Sequence, residues 1–390
     1  MTTLPPSEPP KSPQPSPFPQ PQPRPQAPPQ PVPVGRVAAA PAYGGPPRKK
    51  SWASRLLSFL FVSLFVLSVL MNLMLLAMLA MTVGGDGNLR TAVIEKGRPD
   101  QTVAVFTVEG VIDGKTSADF RRFFRQIRND GDVKAVVLRV NSPGGTVSDS
   151  DEIHHLISQL RNEGNKLPVV VSMGGVAASG GYYISAGADH IFAEPTTVTG
   201  SVGVIGSWPV VKDFLNNHGV QMVMIRSRQA QGTKATENPF EKPSETTLAN
   251  MENLLSTMHE QFMRVVREGR KGKLKETTGD VEITVPAAFG SADGTETRTV
   301  TQTQPLNGQV YLADDAIANG LVDQIGYLND AIQFAAKQAN LTTPHVVQYT
   351  RPRGLFGSLD AQAEPPNTLD PVKILDDLST PRIMMMWKMD

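Results

Sequence analysis

Apolar and polar residues are segregated into long blocks along this chain of 390 residues. Residues 1–50 hold few apolar side chains that could join a core, whereas residues 56–83, LLSFLFVSLFVLSVLMNLMLLAMLAMTV, carry no charge at all. From residue 101 onward, short apolar runs alternate with amphipathic stretches. TVAVFTVEGVI (102–112), VKAVVLRV (133–140), LPVVVSM (167–173), HIFAEP (190–195) and VQMVMIR (220–226) predict strands. SADFRRFFRQIRN (117–129) and SDEIHHLISQLRN (150–162) predict helices, the second with Ile153, Leu156, Ile157 and Leu160 at helical spacing. Strands alternating with helices predict an α/β fold with a mostly parallel sheet.

The uncharged block makes a helix of roughly 42 Å, more than the ~30 Å of a bilayer's hydrocarbon core. It is too long, and starts too late, for a cleaved signal peptide. Arg48, Lys49, Lys50 and Arg55 precede it, and the next basic residue is Arg90. That asymmetry predicts a cytoplasmic N-terminus and an extracytoplasmic remainder. Trp52 suits an interfacial anchor, and Asn72 reads as a helix–helix contact or a tolerated polar residue. More than half of the 33 prolines lie before Arg48. They predict a disordered, partly polyproline-II tail, either a spacer or a docking segment.

The expected organisation is a tail (1–50), a transmembrane helix (56–83), a linker (84–100), one domain (101–350) and a C-terminal tail (351–390). Within the domain, residues 272–308 alternate in strand fashion around GSADG and predict an inserted hairpin, over the substrate groove, on an assembly surface, or simply tolerated. In the C-terminal tail, DPVKILDDL predicts one short helix. IMMMW is too apolar to stand in water, and its own domain, a neighbouring subunit or the membrane could cover it.

A net charge of zero gives no reason to expect nucleic acid, and the absence of Cys excludes disulfides, thiolate catalysis and Cys-based zinc sites. Chemistry concentrates in two glycine-rich turns, VNSPGGTVSDSDEI and GGVAASGGYY, each leading from a strand into a helix, where α/β sheets place their sites. Ser179 stands in the second, among residues with almost no side chains. Two readings are open: Ser179 caps the helix that starts at Gly180, or it is a nucleophile beside backbone donors for an oxyanion. A nucleophile needs a base. His154, His155, His190, His218, His259 and His345 all lie in or near regular elements rather than in the glycine-rich turns. A lysine serves instead if burial lowers its pKa from about 10.4 to near 7, at roughly 4–5 kcal/mol.

VNSPGG, AASGGYYISAGAD with IFAEPTTVTGSVGVIG, GTKATENPFEKPSE and GLVDQIGYLNDAI follow one another in an order that resembles the signal peptide peptidase A family, over about residues 100–340. These are membrane-anchored serine–lysine peptidases with a Clp protease/crotonase-like fold of repeated ββα units. The resemblance implies Ser179 as nucleophile, Lys234 as general base and Ser201 as the residue orienting the lysine. It also implies Gly145 and Gly180 as the backbone N–H donors of an oxyanion hole. No metal or cofactor is required, and peptide substrates and a homo-oligomer are implied. Taken without the resemblance, Lys234 sits in the polar stretch RSRQAQGTKATENP and reads as a solvated loop lysine. The expected function is a membrane-anchored serine endopeptidase degrading signal-peptide remnants or other hydrophobic, membrane-associated peptides. The alternatives are a protease for one specific membrane protein, a non-catalytic scaffold, and a crotonase-like acyl-CoA enzyme. The last would need an acidic residue near the oxyanion turns and a nucleotide pocket.

Overall fold

A computed structural model describes residues 52–83, 88–164, 166–286, 295–351 and 382–386. The proline-rich tail and the helix expected at DPVKILDDL lie outside the described residues. The uncharged block forms a single helix, α1 (Trp52–Val83), about 48 Å long at 1.5 Å per residue. Its Arg55–Leu76 portion is long and apolar enough to cross a membrane, and none of it is buried. Asn72 donates its side-chain amide to the Ser68 carbonyl one turn back, at 2.8 Å.

The remainder is organised around a nine-stranded sheet. In chain order its elements begin with β1 (Arg90–Glu95), β2 (Arg98–Glu109), α2 (Gly114–Arg128), β3 (Val133–Ser142), β4 (Gly144–Thr146) and α3 (Val147–Asn162). There follow β5 (Val169–Ala178), α4 (Gly180–Ala186), β6 (His190–Ala193), β7 (Val198–Gly200), β8 (Ile205–Ser207), α5 (Lys212–Asn217) and α6 (Glu245–Gly269). The last are β9 (Thr277–Pro286), β10 (Thr295–Gln304), β11 (Val310–Leu312), α7 (Ala313–Ala318), β12 (Gln324–Ile325), α8 (Leu328–Gln338), β13 (Pro344–Thr350) and β14 (Arg382–Met386).

The sheet order is β1-β13-β2-β3-β5-β6-β12, with β7 branching from the end of β5 and β11 from β7. All of these pairings are parallel except β1–β13 and β7–β11. A central parallel strand is covered on both faces and so reads as a continuous apolar run, as VKAVVLRV does. Alternate residues feed two cores. Ala104, Phe106, Val136, Leu138 and Val171 pack with α2, α3, α4 and α6, while Val103, Val105, Val137 and Val170 pack with α8. Local chemistry fixes the helix starts. Asp113 caps α2 by accepting from Lys115 and Thr116 N–H, Thr146 caps α3 through Asp149 N–H, and Ser244 caps α6 through Thr247 N–H.

Four expectations meet a specific outcome. Residues 220–226 do not form a strand, although their composition favours one. No described strand pairs with them, and Val223 and Ile225 stand 80% and 92% exposed. β propensity describes fit to a half-buried pleated surface, and here the pleated neighbour is missing. Residues 90–95, inside the segment expected as linker, pair antiparallel with β13 as an edge strand. A hairpin forms in residues 272–308: β9 and β10 pair from Thr277↔Gln304 to Pro286↔Thr295, and their turn lies outside the described residues. Of IMMMW, Met384–Met386 are covered by their own domain, since β14 lies antiparallel between β4 and β8 in a separate three-stranded sheet, and Trp387 lies outside the described residues.

Candidate active site

Strand β5 ends at Ala178 and helix α4 begins at Gly180, leaving Ser179 as the single residue of the turn. Its backbone is at φ 53°, ψ −116°. A side chain there is strained by about 1–3 kcal/mol, and such residues cluster at functional sites. The turn is held from both sides. Ser179 N–H donates to the Gly200 carbonyl, and the Ser179 carbonyl accepts from Tyr183 N–H, each at 2.8 Å. The residue is 1% exposed, yet its hydroxyl makes no capping hydrogen bond to α4. The capping role is therefore excluded. A strained serine at a strand-to-helix turn is also how the nucleophile elbow of α/β hydrolases presents its hydroxyl.

The small neighbours follow from crowding. A Cβ on Gly145 would come within 1.9 Å of the Ile112 carbonyl oxygen, and one on Gly181 within 2.6 Å of that of Ser142. A Cβ on Gly180 would sit 2.6 Å from Ser150 Oγ and 3.1 Å from Gly145 N. Gly145 and Gly180 are thus in contact across the turn. The first glycine-rich turn is fixed by Ile112 N–H to Gly144 carbonyl (2.8 Å), Thr146 N–H to Ile112 carbonyl (2.9 Å) and Gly144 N–H to Ser142 Oγ (3.1 Å). Beneath the site α4 is wholly buried. Tyr182 donates its hydroxyl to the Leu321 carbonyl and Tyr183 donates to Asp151. Burial pushes both phenols well above the ordinary tyrosine range, so both remain donors.

Ser201 joins this group through its neighbour, because Gly200 pairs with Ala178 and accepts the Ser179 N–H. Ser201 is 9% exposed, has φ 51°, and donates its N–H to the Gln309 carbonyl at 2.7 Å. Lys234 does not join it. It is exposed in the turn 231–235, and its side chain hydrogen-bonds neither Ser179 nor Ser201. None of the six histidines hydrogen-bonds Ser179 either. His259 binds the Leu306 carbonyl, His345 accepts from Gly97 N–H, His190 stacks on Phe334, and His154 is half-buried against Tyr183, where desolvation lowers its pKa.

Two residues passed over in the sequence shape the Lys234 loop. Arg226 donates to the carbonyls of Lys234 (2.5 Å) and Ala235 (2.9 Å) while pairing with Glu241 through two guanidinium nitrogens. Asn238 also donates to the Ala235 carbonyl, at 2.7 Å. Hydrogen bonding to Arg226 holds the Glu241 carboxyl below its usual range. The only signal in the sequence was a charge on each side of a polar stretch.

The model of Peptidase family S49 matches residues 161–284, and that of Clp protease matches residues 103–199. The latter agrees with the parallel sheet and its two helical layers, a Clp-protease-like α/β fold. A putative signal peptide peptidase SppA of Enterococcus faecium is 30% identical over 70% of this chain and 74% of its own length. Protease 4 of Haemophilus influenzae is 33% identical over 63% of this chain, which spans only 36% of that longer protein. A solved structure of a membrane-bound stomatin-specific protease aligns at 15% identity over 59% of this chain and 82% of its own, with a TM-score of 0.31. With its glycine-lined serine turn and a relative matched over most of its length, the chain belongs to the signal peptide peptidase A family of S49 peptidases.

Proposed function

We propose that this protein is a membrane-anchored serine endopeptidase working through a Ser179–Lys234 dyad. Ser179 Oγ attacks a peptide carbonyl carbon as neutral Lys234 takes its proton. The negative oxygen is held by the N–H groups of Gly145 and Gly180. The C–N bond then breaks, the leaving amine takes the proton from Lys234, and water hydrolyses the acyl-enzyme with Lys234 again as base. Ser201 orients the lysine amine. Substrates are hydrophobic, membrane-associated peptides, including signal-peptide remnants, in keeping with the name of the Enterococcus relative. α1 anchors the catalytic part on the extracytoplasmic side, as the basic residues before it suggest.

The observation that carries this reading is the strained, uncapped hydroxyl of Ser179 between two glycine backbones. A lysine acts as a base where its amine is desolvated, so the mechanism also requires the exposed Lys234 loop to be covered. The nearby apolar stretch Val220–Ile225, exposed in the single chain, supports a homo-oligomer in which a second copy supplies that cover. A fluorophosphonate probe should label the full-length protein in detergent and fail on Ser179→Ala. Ser179→Ala and Lys234→Ala should each lower peptide hydrolysis by at least about 10⁴-fold with the far-UV spectrum unchanged. Retained hydrolysis in either variant removes that residue from the mechanism.

A further inference from the structure

The β9–β10 hairpin is ten residue pairs long, about 34 Å, and runs in one unbroken register. Its base is fixed on both strands. Lys275 N–H donates to the Asn319 carbonyl, while the buried Leu306 donates its N–H to the Thr303 carbonyl and binds His259 through its own carbonyl. Among the described residues from 278 to 301, Ile283 is half-buried and the others are exposed, including Val281 and Val300 directly opposite each other. The two strands form a sheet of their own, so both outer edges are unpaired. A hairpin with two open faces is marginally stable in water. A long regular edge without lysine, internal proline or bulge is a template for another strand.

A second unpartnered segment, residues 220–226, stands at the other end of α6. Arg226 ties it to Glu241, just before the Ser244 cap, whereas the hairpin follows the C-terminal end of that helix, which is 25 residues and about 37 Å long. The two match in pattern. In β9, Val281 and Ile283 alternate with the acidic Asp280 and Glu282; in 220–228, Val223 and Ile225 alternate with the basic Arg226 and Arg228. In an extended strand each set takes one face. They also match in charge: β9 and β10 carry three acidic residues and one basic, while residues 220–234 carry Arg226, Arg228, Lys234 and no acid. Within one chain the two segments do not pair. Contact between different patches of two copies is heterologous, so it repeats from copy to copy. We propose that residues 220–226 of one copy add as a strand to the outer edge of β9 in a second copy. Val223 and Ile225 then lie against Val281 and Ile283, and the exposed Arg228 meets Glu282. The ladder supplies affinity and the alternating side chains set the partner. The hairpin is thereby the cover for the Lys234 loop, because Arg226, at the end of the added segment, donates to the Lys234 and Ala235 carbonyls. This rests on the reading of the protein as a homo-oligomer assembled through Val220–Ile225, and the experiment below separates the two.

The chain has no Cys, so introduced thiols report single positions. Full-length Val223→Cys and Val281→Cys proteins are co-expressed with different tags, purified in detergent and treated with a short bismaleimide. A crosslinked pair carrying both tags is expected, at least about fivefold more abundant than the pair either variant gives alone, because the contact is heterologous. Arg228→Glu and Glu282→Arg should each lower the assembled fraction in light scattering at least about threefold at low salt. The two changes in one chain should restore it, which damage to the fold would not do. A mixture that crosslinks no better than the single variants, or a double reversal no better assembled than the single ones, overturns the hairpin contact. Assembly that resists these changes but falls apart in Ile225→Glu overturns the hairpin contact alone and leaves the homo-oligomer standing. Wild-type protein that proves to be a single chain overturns both.

Discussion

Ser179 holds a backbone conformation that a glycine adopts freely and an alanine does not. The two substitutions should therefore separate strain from chemistry. Both should remove hydrolysis, but Ser179→Gly should be roughly 1 kcal/mol more stable than Ser179→Ala, a difference of about 2–4 °C in thermal unfolding. Equal midpoints would show that the turn stores no strain. At this scale the sequence was legible where function imposes packing. A run of tiny residues around one hydroxyl marks backbones in contact, and the structure shows why at Gly145, Gly180 and Gly181. It was not legible at Lys234. One lysine in a polar stretch resembles any other, and even in the folded chain the residue stays in water. The cover that the proposed role as base requires would have to come from outside its own sequence neighbourhood.

Among the elements, the long ones were readable and the short ones were not. β2, β3 and β5 announce themselves because both faces are covered, and α2 and α3 because one face is. β4, β7 and β8 have three residues each, too few for any periodicity, yet they build the turn region and the gap filled by β14. A second device was hidden in charges far apart along the chain. The buried Arg270, at the end of α6, donates to the Gly320 carbonyl and through two nitrogens to Asp323, while Asp323 also accepts from Lys273 and from Ile191 N–H. Desolvation alone would raise the Asp323 pKa, but these donors outweigh it and hold the carboxyl at about 2. A carboxyl depressed in the folded state stabilises above its unfolded value of about 3.9 and loses that contribution as pH falls toward 2. Urea unfolding of the wild type should therefore lose roughly 2 kcal/mol more than Asp323→Asn between pH 5 and pH 2. Parallel pH profiles for the two proteins would show that this carboxylate contributes nothing to folding.

For the whole molecule, the block pattern made the anchor and the α/β domain evident, but a single chain leaves one stretch without a role. Residues 220–226 have a strand's composition and find no strand, because sequence encodes the preference of a segment and not the presence of its neighbour. If a second copy is that neighbour, Ile225→Glu should shift the detergent-solubilised protein to smaller particles in light scattering and reduce hydrolysis with it. An unchanged particle mass removes this surface from assembly. The apolar helix makes a smaller demand of this kind. The Asn72 amide gives one N–H to the Ser68 carbonyl of its own helix, which meets part of its need in lipid without a companion span. That lowers what the helix asks of a neighbour, and it leaves the Val220–Ile225 surface as the place where association is tested.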